Sequence, residues 1–346
     1  MNVDALGMIA TPPPTVPKLA VLELLSREYA LDGELTPLVS ERDQNFRLET
    51  ADGQVLVVKI ANAAEPGLIT DFQVQALVHL QRNACPVNVP RIVCTQAGAV
   101  ATKIESGQSS HDLRVVSYVA GRSLGAANPD PQLSYALGLR LAQLDAALSD
   151  FEHPGQSQVL LWDMQRASEL RGLMQHVIEA DVRDLVRSCL DAFERMAMPA
   201  FETLRRQVIH NDLNPDNILI EDTAPPDIAG IIDFGDMVRG PLVIDVAIAA
   251  SYIRSLDDGL ESMRALVAGF ESITPLKDIE KSLLFELVKM RLATTITILH
   301  WRQSARSSGD PYLQKALQER SAEQFLCHLD AMRKEAFTKC IFGPEN

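Results

Sequence analysis

The most informative stretch of this chain is V-I-H-N-D-L-N-P-D-N-I-L-I at residues 208–220. It carries His210, Asp212 and Asn217 in the order H-x-D-x-x-x-x-N, between two short apolar runs. Apolar runs rich in β-branched residues predict strands, so the polar residues are expected on a loop between two strands. An aspartate and an asparagine at this spacing are typical of the catalytic loop of phosphoryl-transfer enzymes.

A second motif, I-I-D-F-G-D at residues 231–236, places Asp233 at the end of an apolar run. Phosphoryl transfer demands alignment of the acceptor hydroxyl and neutralisation of phosphate charge rather than covalent chemistry. We therefore expect Asp212 to accept or orient the acceptor's proton, and Asn217 and Asp233 to hold Mg²⁺ through oxygen atoms. His210 is expected to be a hydrogen-bonded brace for the loop, not a titrating base.

Together these motifs resemble those of the aminoglycoside phosphotransferase superfamily, whose protein-kinase-like members modify small molecules. The stretches E-R-D-Q-N-F at 41–46 and L-L-W-D at 160–163 make the chain similar to hydroxylysine kinase-like members of that superfamily. The resemblance spans roughly residues 17–335. It implies that Asp245, in V-I-D-V-A-I-A-A, braces the catalytic loop from the start of a buried helix; the alternative is a carboxylate favoured only by the helix dipole.

The resemblance implies an α+β, two-lobed protein-kinase-like fold. A small antiparallel β-sheet with one helix is expected to form a nucleotide-binding N-lobe at residues 17–119, after a flexible lead-in at residues 1–16. A larger, mainly helical C-lobe at residues 120–346 would carry catalysis and acceptor binding. Apolar residues at three- and four-residue spacing predict its helices at 132–149, 167–177, 179–198, 241–255, 258–271, 277–304 and 311–338.

The expected N-lobe reads as a strand meander at 35–39, 45–50 and 54–60. Lys59 ends the third strand in V-L-V-V-K-I, where the resemblance implies a lysine that pairs with nucleotide phosphates; a solubilising edge-strand lysine is the alternative. The loop after the first strand lacks G-x-G-x-x-G, so its phosphate contacts would come from backbone N–H groups and polar side chains. The candidates there are Ser40, Arg42 and Asn45.

Two further N-lobe segments complete the expected nucleotide site. In the helix predicted at 68–82, Gln73 aligns with the partner of the strand lysine, with Asp71 or Glu65 as alternatives. The strand R-V-V-S-Y-V at 114–119 leads into a glycine turn and resembles the hinge that contacts the nucleotide base. A simple edge strand followed by a glycine turn is the alternative. The hinge candidates are Ser117, Tyr118 and Val119.

The acceptor pocket is expected in the helical lobe, beside Asp212. Carboxylates and aromatic faces would hold an ammonium group there, the aromatic faces through cation–π contacts. The candidates are Trp162, Asp163, Asp236, Tyr252, His300 and Trp301. Core packing is the alternative for the two tryptophans. An amino acid acceptor would also need a cation for its carboxylate, which Arg302, Arg291 or Arg239 could supply unless they are solvated surface charges.

Composition narrows the choice of partners. The chain of 346 residues is 47% hydrophobic, enough to bury a core, and its formal net charge of −14 argues against nucleic-acid binding. An acidic field suits a cationic or zwitterionic small-molecule acceptor. The five cysteines form no C-x-x-C pair, so we expect reduced thiols. Without a signal-peptide pattern or an apolar run of about 18 residues, the sequence predicts a soluble, cytoplasmic protein with no membrane partner, and leaves its oligomeric state open.

Three functions are consistent with the sequence. The first is a magnesium-dependent kinase that moves the γ-phosphoryl group of ATP or GTP to the hydroxyl of a small amino alcohol or hydroxy-amino acid such as hydroxylysine. The second keeps this chemistry with choline, ethanolamine, homoserine or an aminoglycoside as the acceptor. The third is a non-catalytic nucleotide-binding protein, which the altered phosphate loop favours but the joint presence of Lys59, Asp212, Asn217 and Asp233 opposes.

Overall fold

The structure is a computed structural model that describes residues 11–40, 42–125, 129–305 and 320–343. Three predictions fall partly outside the described residues. They concern residues 1–10 of the expected lead-in, Glu41 of the expected phosphate loop and residues 311–319 of the last expected helix.

The N-terminal part of the chain folds into an antiparallel sheet. Its strands are β1 Gly33–Leu38, β2 Gln44–Thr50, β3 Val55–Ile60, β4 Ile92–Val93, β5 Thr102–Ser106 and β6 Ser109–Ser117. They pair in the order β1–β2–β3–β6–β4, and β5 also pairs with β6. Buried and accessible residues alternate along β3, because one face of the sheet packs on a core. The meander predicted from the sequence is confirmed.

A short helix that the sequence analysis did not anticipate precedes this sheet. Helix α1, Lys18–Leu24, continues into a π-helical turn at Leu25–Tyr29 and packs into the core of the sheet. The chain is already fixed just before this helix. Val16 is 2% exposed, and its backbone exchanges hydrogen bonds of 2.8 and 3.0 Å with the side chain of Gln44. At Val16, where the sequence predicts a flexible lead-in, the chain is therefore part of the packed structure.

Helix α2, Gly67–Arg82, is the helix predicted for the N-lobe. Its buried residues Phe72, Leu77 and Leu80 belong to the larger hydrophobic core of the molecule, not to the core beneath the sheet. Phe72 stacks on Phe151, which lies in the helical part of the chain, with ring centroids 5.9 Å apart. The helix thus links the sheet to the rest of the protein.

The remainder of the chain is mainly helical. Its α-helices include α3 Pro131–Leu148, α4 Ala180–Met196, α5 Val243–Ser251, α6 Gly259–Glu271, α7 Asp278–Ala305, α8 Ser321–Ala331 and α9 Lys334–Phe342. Among the described residues, no helix has the length and apolar character needed to cross a membrane.

Three of the predicted helices differ from the structure. The helix predicted at 241–255 spans only Val243–Ser251, because Pro241 lies in a strand and the helix ends before Tyr252. The span 167–177 lies in 3₁₀ segments at Met164–Gly172 and Met174–His176, since Gly172 weakens an α-helix at its middle. The last predicted helix is interrupted at residues 332–333, where both residues adopt extended backbone with ψ of 140° and 142°.

Two glycines let helices α3 and α6 approach until their backbones touch. A Cβ atom at Gly138 would lie 1.9 Å from the carbonyl oxygen of Leu266, and one at Gly269 would lie 2.1 Å from that of Tyr135. Any larger residue at either position would collide with backbone. This contact positions α3, which runs beneath the catalytic motifs.

Short strands interrupt the helices where those motifs lie. Strand β8, Arg206–Ile209, pairs with β11, Val238–Pro241. Strand β9, Ile218–Ile220, pairs with β10, Ile228–Ile231, and also with β7, Arg122–Ser123. The first motif therefore runs from β8 through a loop to β9, as predicted, and the second begins at the end of β10. The fold is α+β and two-lobed.

Candidate active site

The loop between β8 and β9 is anchored by Asp245, a fully buried residue in the first turn of α5. Its carboxylate accepts hydrogen bonds of 2.7 Å from the backbone N–H groups of His210 and Asn211. Asn211 has a φ of 62°, in the left-handed region that asparagine tolerates better than most residues. Asp245 thus makes the loop-bracing contacts that the resemblance implied.

A second carboxyl group, which the sequence analysis missed, lies behind this brace. Asp145 on α3 is 1% exposed and lies close enough to Asp245 for the two groups to interact. Burial, followed by the charge of Asp245, raises the pKa of Asp145 well above its ordinary value. Neither Asp145 oxygen has a hydrogen-bond partner among the described residues, and a buried carboxyl without partners favours its neutral form.

His210 is fully buried, and both of its ring nitrogens have partners. Nε2 lies 3.1 Å from the carbonyl oxygen of Ile232, and Nδ1 lies 3.4 Å from the backbone nitrogen of Asp212. A carbonyl only accepts, so the ring proton is assigned to Nε2. Burial lowers the pKa of His210. The imidazole is therefore neutral, and its contacts lie within the loop and the end of β10.

Asp212 is held through both of its carboxylate oxygens. Oδ2 accepts from the amides of Asn214 at 3.0 Å and Asn217 at 2.9 Å, and Oδ1 accepts from Arg291 at 3.2 Å. Burial and the charge of Asp236 raise the pKa of Asp212 to about 7, against the opposing effect of Arg291. The Asp212 side chain keeps 23% of its surface exposed, so an acceptor can reach it.

The two candidate metal ligands present oxygen atoms of the kind Mg²⁺ prefers. The amide nitrogen of Asn217 donates to the backbone oxygen of Asp212 at 2.8 Å as well as to its carboxylate, which leaves the amide oxygen of Asn217 for another partner. Asp233 has a φ of 64°, and nearby Lys59 is the main cause that lowers its pKa. An amide oxygen and an ionised carboxylate suit a magnesium ion.

Lys59 lies in a row of polar side chains across the sheet. It stands directly opposite Asn45 on β2 and Arg114 on β6. Opposed residues of antiparallel strands point to the same face, so all three share the face on which Lys59 interacts with Asp233. Arg114, which is 2% exposed, was not identified from the sequence. The feature of the sequence that could have identified Arg114 is its position within a mainly apolar strand at 113–117.

Gln73, expected to pair with Lys59, pairs instead with Arg114. Its Oε1 accepts from the Arg114 guanidinium at 2.6 Å, and its Nε2 donates to Glu65 at 3.3 Å. Leaving the buried guanidinium of Arg114 without an acceptor would cost more free energy than leaving the half-buried Lys59 without one. Gln73 therefore pairs with Arg114 and not with Lys59. Of the two alternatives, Glu65 joins the cluster, whereas Asp71 pairs with a histidine of the helical lobe at 3.1 Å.

The phosphate-loop candidates lie between the sheet and the C-lobe. Ser40 Oγ accepts from the backbone of Asp43 at 3.3 Å and so shapes the turn. Arg42 reaches across to Asp236 and forms an ion pair of 2.6 Å. The structure thus brings a residue expected to bind the donor into direct contact with one expected to bind the acceptor.

The hinge candidates follow β6, and most of their backbone donors are engaged. The N–H groups of Ser117 and Tyr118 donate to the carbonyl oxygens of Arg91 at 2.8 Å and Val55 at 3.3 Å. Val119 is buried. The N–H groups of Ser117 and Tyr118 already have partners. A backbone N–H group that recognised the nucleotide base would therefore be that of Val119.

The aromatic acceptor candidates contact arginines of the chain itself. The Trp162 ring contacts Arg291 and Arg302, whose guanidinium carbons are 5.0 and 5.5 Å from its centroid. The Tyr252 ring contacts Arg254 at 4.8 Å and Arg291 at 5.9 Å. The cation–π contacts expected for an acceptor ammonium are thus made by protein cations.

The other acceptor candidates make structural contacts. Asp163 accepts from the backbone of Gln165 at 2.9 Å and caps the 3₁₀ segment that follows it. His300 pairs with Glu323 at 3.2 Å, and Trp301 packs against the larger core. Arg239 lies on β11. Among the described residues, none of these four has a hydrogen bond or an ion pair with Asp212.

This chain is similar to known phosphotransferases in sequence and in fold. A model of the phosphotransferase enzyme family matches residues 34–279. Hydroxylysine kinase of Mus musculus is 30% identical over 306 residues, which cover 81% of this chain and 80% of that protein. Hydroxylysine kinase of Xenopus laevis is 26% identical over 330 residues, covering 89% and 88%. The structure of a microcompartment-associated aminopropanol kinase, 18% identical, matches with a TM-score of 0.71 and covers 92% of this chain and 100% of that one, which shows a shared fold.

Proposed function

This chain belongs to the phosphotransferase enzyme family, and from that premise we propose that it transfers the γ-phosphoryl group of ATP or GTP to the hydroxyl of a small hydroxy-amino acid or amino alcohol, such as hydroxylysine. One observation carries the proposal. Asp212 is held by three hydrogen-bond donors at a strand end, close enough to Asp233 for the two charges to interact. Such a pair can align an acceptor hydroxyl beside a metal-bound phosphate.

Each candidate residue has a role in this proposal. Asp212 orients the acceptor hydroxyl and takes its proton, while Asn217 and Asp233 hold Mg²⁺, which neutralises charge on the donor phosphates. Lys59 binds those phosphates from the sheet. The loop above the phosphates takes its shape and its charge from Ser40, Arg42 and Asn45. The hinge around Val119 contacts the nucleotide base. The expected lobe boundary after residue 119 and the cytoplasmic location remain predictions of the same proposal.

A hydroxy-amino acid is favoured over a simple amino alcohol as the acceptor. The guanidinium groups of Arg291, Arg254 and Arg302 contact the rings of Trp162 and Tyr252, and Arg291 also contacts Asp212. Positive charge next to Asp212 suits an acceptor that carries a carboxylate. The relatives named hydroxylysine kinase act on an acceptor of that kind.

The test is an acceptor panel with Mg²⁺ and either ATP or GTP. Hydroxylysine, homoserine, ethanolamine, aminopropanol, choline and kanamycin would be offered, with lysine as the matched acceptor that lacks the hydroxyl. We expect hydroxylysine to gain the mass of one phosphate and lysine to gain none. Nucleotide binding without transfer to any acceptor would favour the non-catalytic alternative instead.

A further inference from the structure

Arg291 is a fully buried cation on helix α7, and its position is unusual for a charged residue. Its relative exposure is 0%. Burial of an unpaired guanidinium is costly. Both terminal nitrogens of Arg291 have partners, whereas its Nε has none among the described residues. The neighbours of the terminal nitrogens are the carbonyl oxygen of Trp162 at 3.1 Å, the carboxylate of Asp212 at 3.2 Å and the hydroxyl of Tyr252 at 3.4 Å.

The two oxygens of Asp212 are held by different parts of the protein. Asn214 and Asn217, which hold Oδ2, belong to the same loop as Asp212 and would move with it. Arg291, which holds Oδ1, lies 79 residues away in sequence on a long helix. The guanidinium therefore fixes the carboxylate relative to the helical lobe, where the acceptor must bind.

We propose that Arg291 is a positioning residue that orients the Asp212 carboxylate toward the acceptor, an inference that rests on the proposed function. It acts through Asp212 and not on the nucleotide. The rings of Trp162 and Tyr252 cover the guanidinium at 5.0 and 5.9 Å and keep it in place. A rotation of the Asp212 carboxylate would leave the acceptor hydroxyl without an aligned base. A misplacement of about 1 Å in an active site can lower the rate by about 100-fold.

The first part of the test compares single variants. Arg291→Gln should lower kcat by about 100-fold while leaving nucleotide affinity unchanged. Arg291→Lys keeps the charge but not the planar fork, so its kcat should lie between those of Arg291→Gln and the wild type. Lys289→Gln is the matched control, because it removes another buried cation from the same helix. Lys289 pairs with Asp330 at 2.8 Å, away from Asp212, and this variant should keep wild-type kcat even if its Tm falls.

The second part separates positioning from a general loss of structure. In an Asp212→Asn background the residue has no carboxylate to orient, so adding Arg291→Gln should lower the residual rate by no more than about twofold. An equal loss in both backgrounds would overturn the inference.

A crystal structure of Arg291→Gln gives a readout that does not depend on turnover. We expect the Asp212 carboxylate to change rotamer or lose order there. An unchanged carboxylate would also overturn the inference. If wild-type protein phosphorylated no acceptor, the proposed function would fail, while the crystallographic result would still decide whether Arg291 positions Asp212.

Discussion

Two aspartates of the site have opposite surroundings. Lys59 and Arg42 lower the pKa of Asp233, so this residue stays ionised and suits a metal. Burial and the neighbouring charge of Asp236 raise the pKa of Asp212 to about 7, which suits a group that exchanges a proton near neutral pH. Carboxylates whose environments push their pKa values apart commonly divide the work of a site in this way.

Asp212→Ala should lower turnover by about 10²- to 10⁴-fold, because it removes the group proposed to align the acceptor hydroxyl. Nucleotide affinity should change little. Coupled kinetics and nucleotide titration measure the two properties. Asp216→Ala, which removes an exposed aspartate of the same loop, is the control and should keep activity. Wild-type-like turnover of the Asp212 variant would contradict the mechanism.

Asp233→Ala should weaken nucleotide binding only when Mg²⁺ is present, since the carboxylate would bind the metal and not the base. Titrations with and without Mg²⁺ check this. Equal affinity losses in both conditions would show that Asp233 acts in another way, for example by supporting Lys59.

Among the helices and strands, two helices behind the catalytic loop support it. Helix α5 supplies Asp245, which binds the loop, and helix α3 supplies Asp145, which interacts with Asp245. The raised pKa of Asp145 adds a pH dependence to the stability of this support.

Asp145→Asn should remove part of the decrease in stability that accompanies rising pH. The folded protein keeps the Asp145 proton above about pH 4, where an unfolded aspartate loses it, so stability falls as pH rises from there toward the raised pKa. Asparagine does not titrate. Urea unfolding at pH 5 and pH 8 should show a smaller decrease for the variant, by up to about 1.4 kcal/mol per pH unit. Equal decreases in both proteins would argue against a protonated Asp145.

Gly138→Ala should destabilise the contact between α3 and α6 by roughly 1–3 kcal/mol or more. Alanine is the better helix former by about 1 kcal/mol, but its Cβ would lie 1.9 Å from a backbone oxygen, and that collision outweighs the gain. Gly259→Ala, on α6, is the control, because a Cβ atom at this position would lie 3.6 Å or more from its nearest neighbours. Denaturant midpoints compare the two, and similar midpoints would contradict the packing argument.

Across the whole molecule, the candidate phosphate loop and the C-lobe meet through the ion pair of Arg42 and Asp236. The pair is partly buried, with side-chain exposures of 32% and 12%. Charge-assisted hydrogen bonds of this kind are stronger than exposed surface pairs. The contact therefore joins a residue proposed to bind the phosphoryl donor to one proposed to bind the acceptor.

Arg42→Ala should raise the KM for nucleotide and the KM for acceptor together, each by about tenfold, because one side chain serves both sides of the cleft. Steady-state kinetics with each substrate varied in turn measure this. Arg27→Ala, which removes an exposed N-lobe arginine, is the control. A change in the nucleotide KM alone would show that Asp236 does not depend on Arg42.

The strand–loop–strand arrangement of the catalytic motifs, the place of Lys59 on its strand and most helices of the C-lobe could be predicted from the amino-acid order. These features follow from local spacing, since apolar periodicity and turn residues act over a few positions. Three contacts could not be predicted in this way and come from the packing of distant segments: Gln73 with Arg114, Asp145 with Asp245, and Arg291 with Asp212. Each of these contacts joins residues far apart in the chain, and a buried charge takes whichever partner the packing brings within reach, which local spacing does not encode.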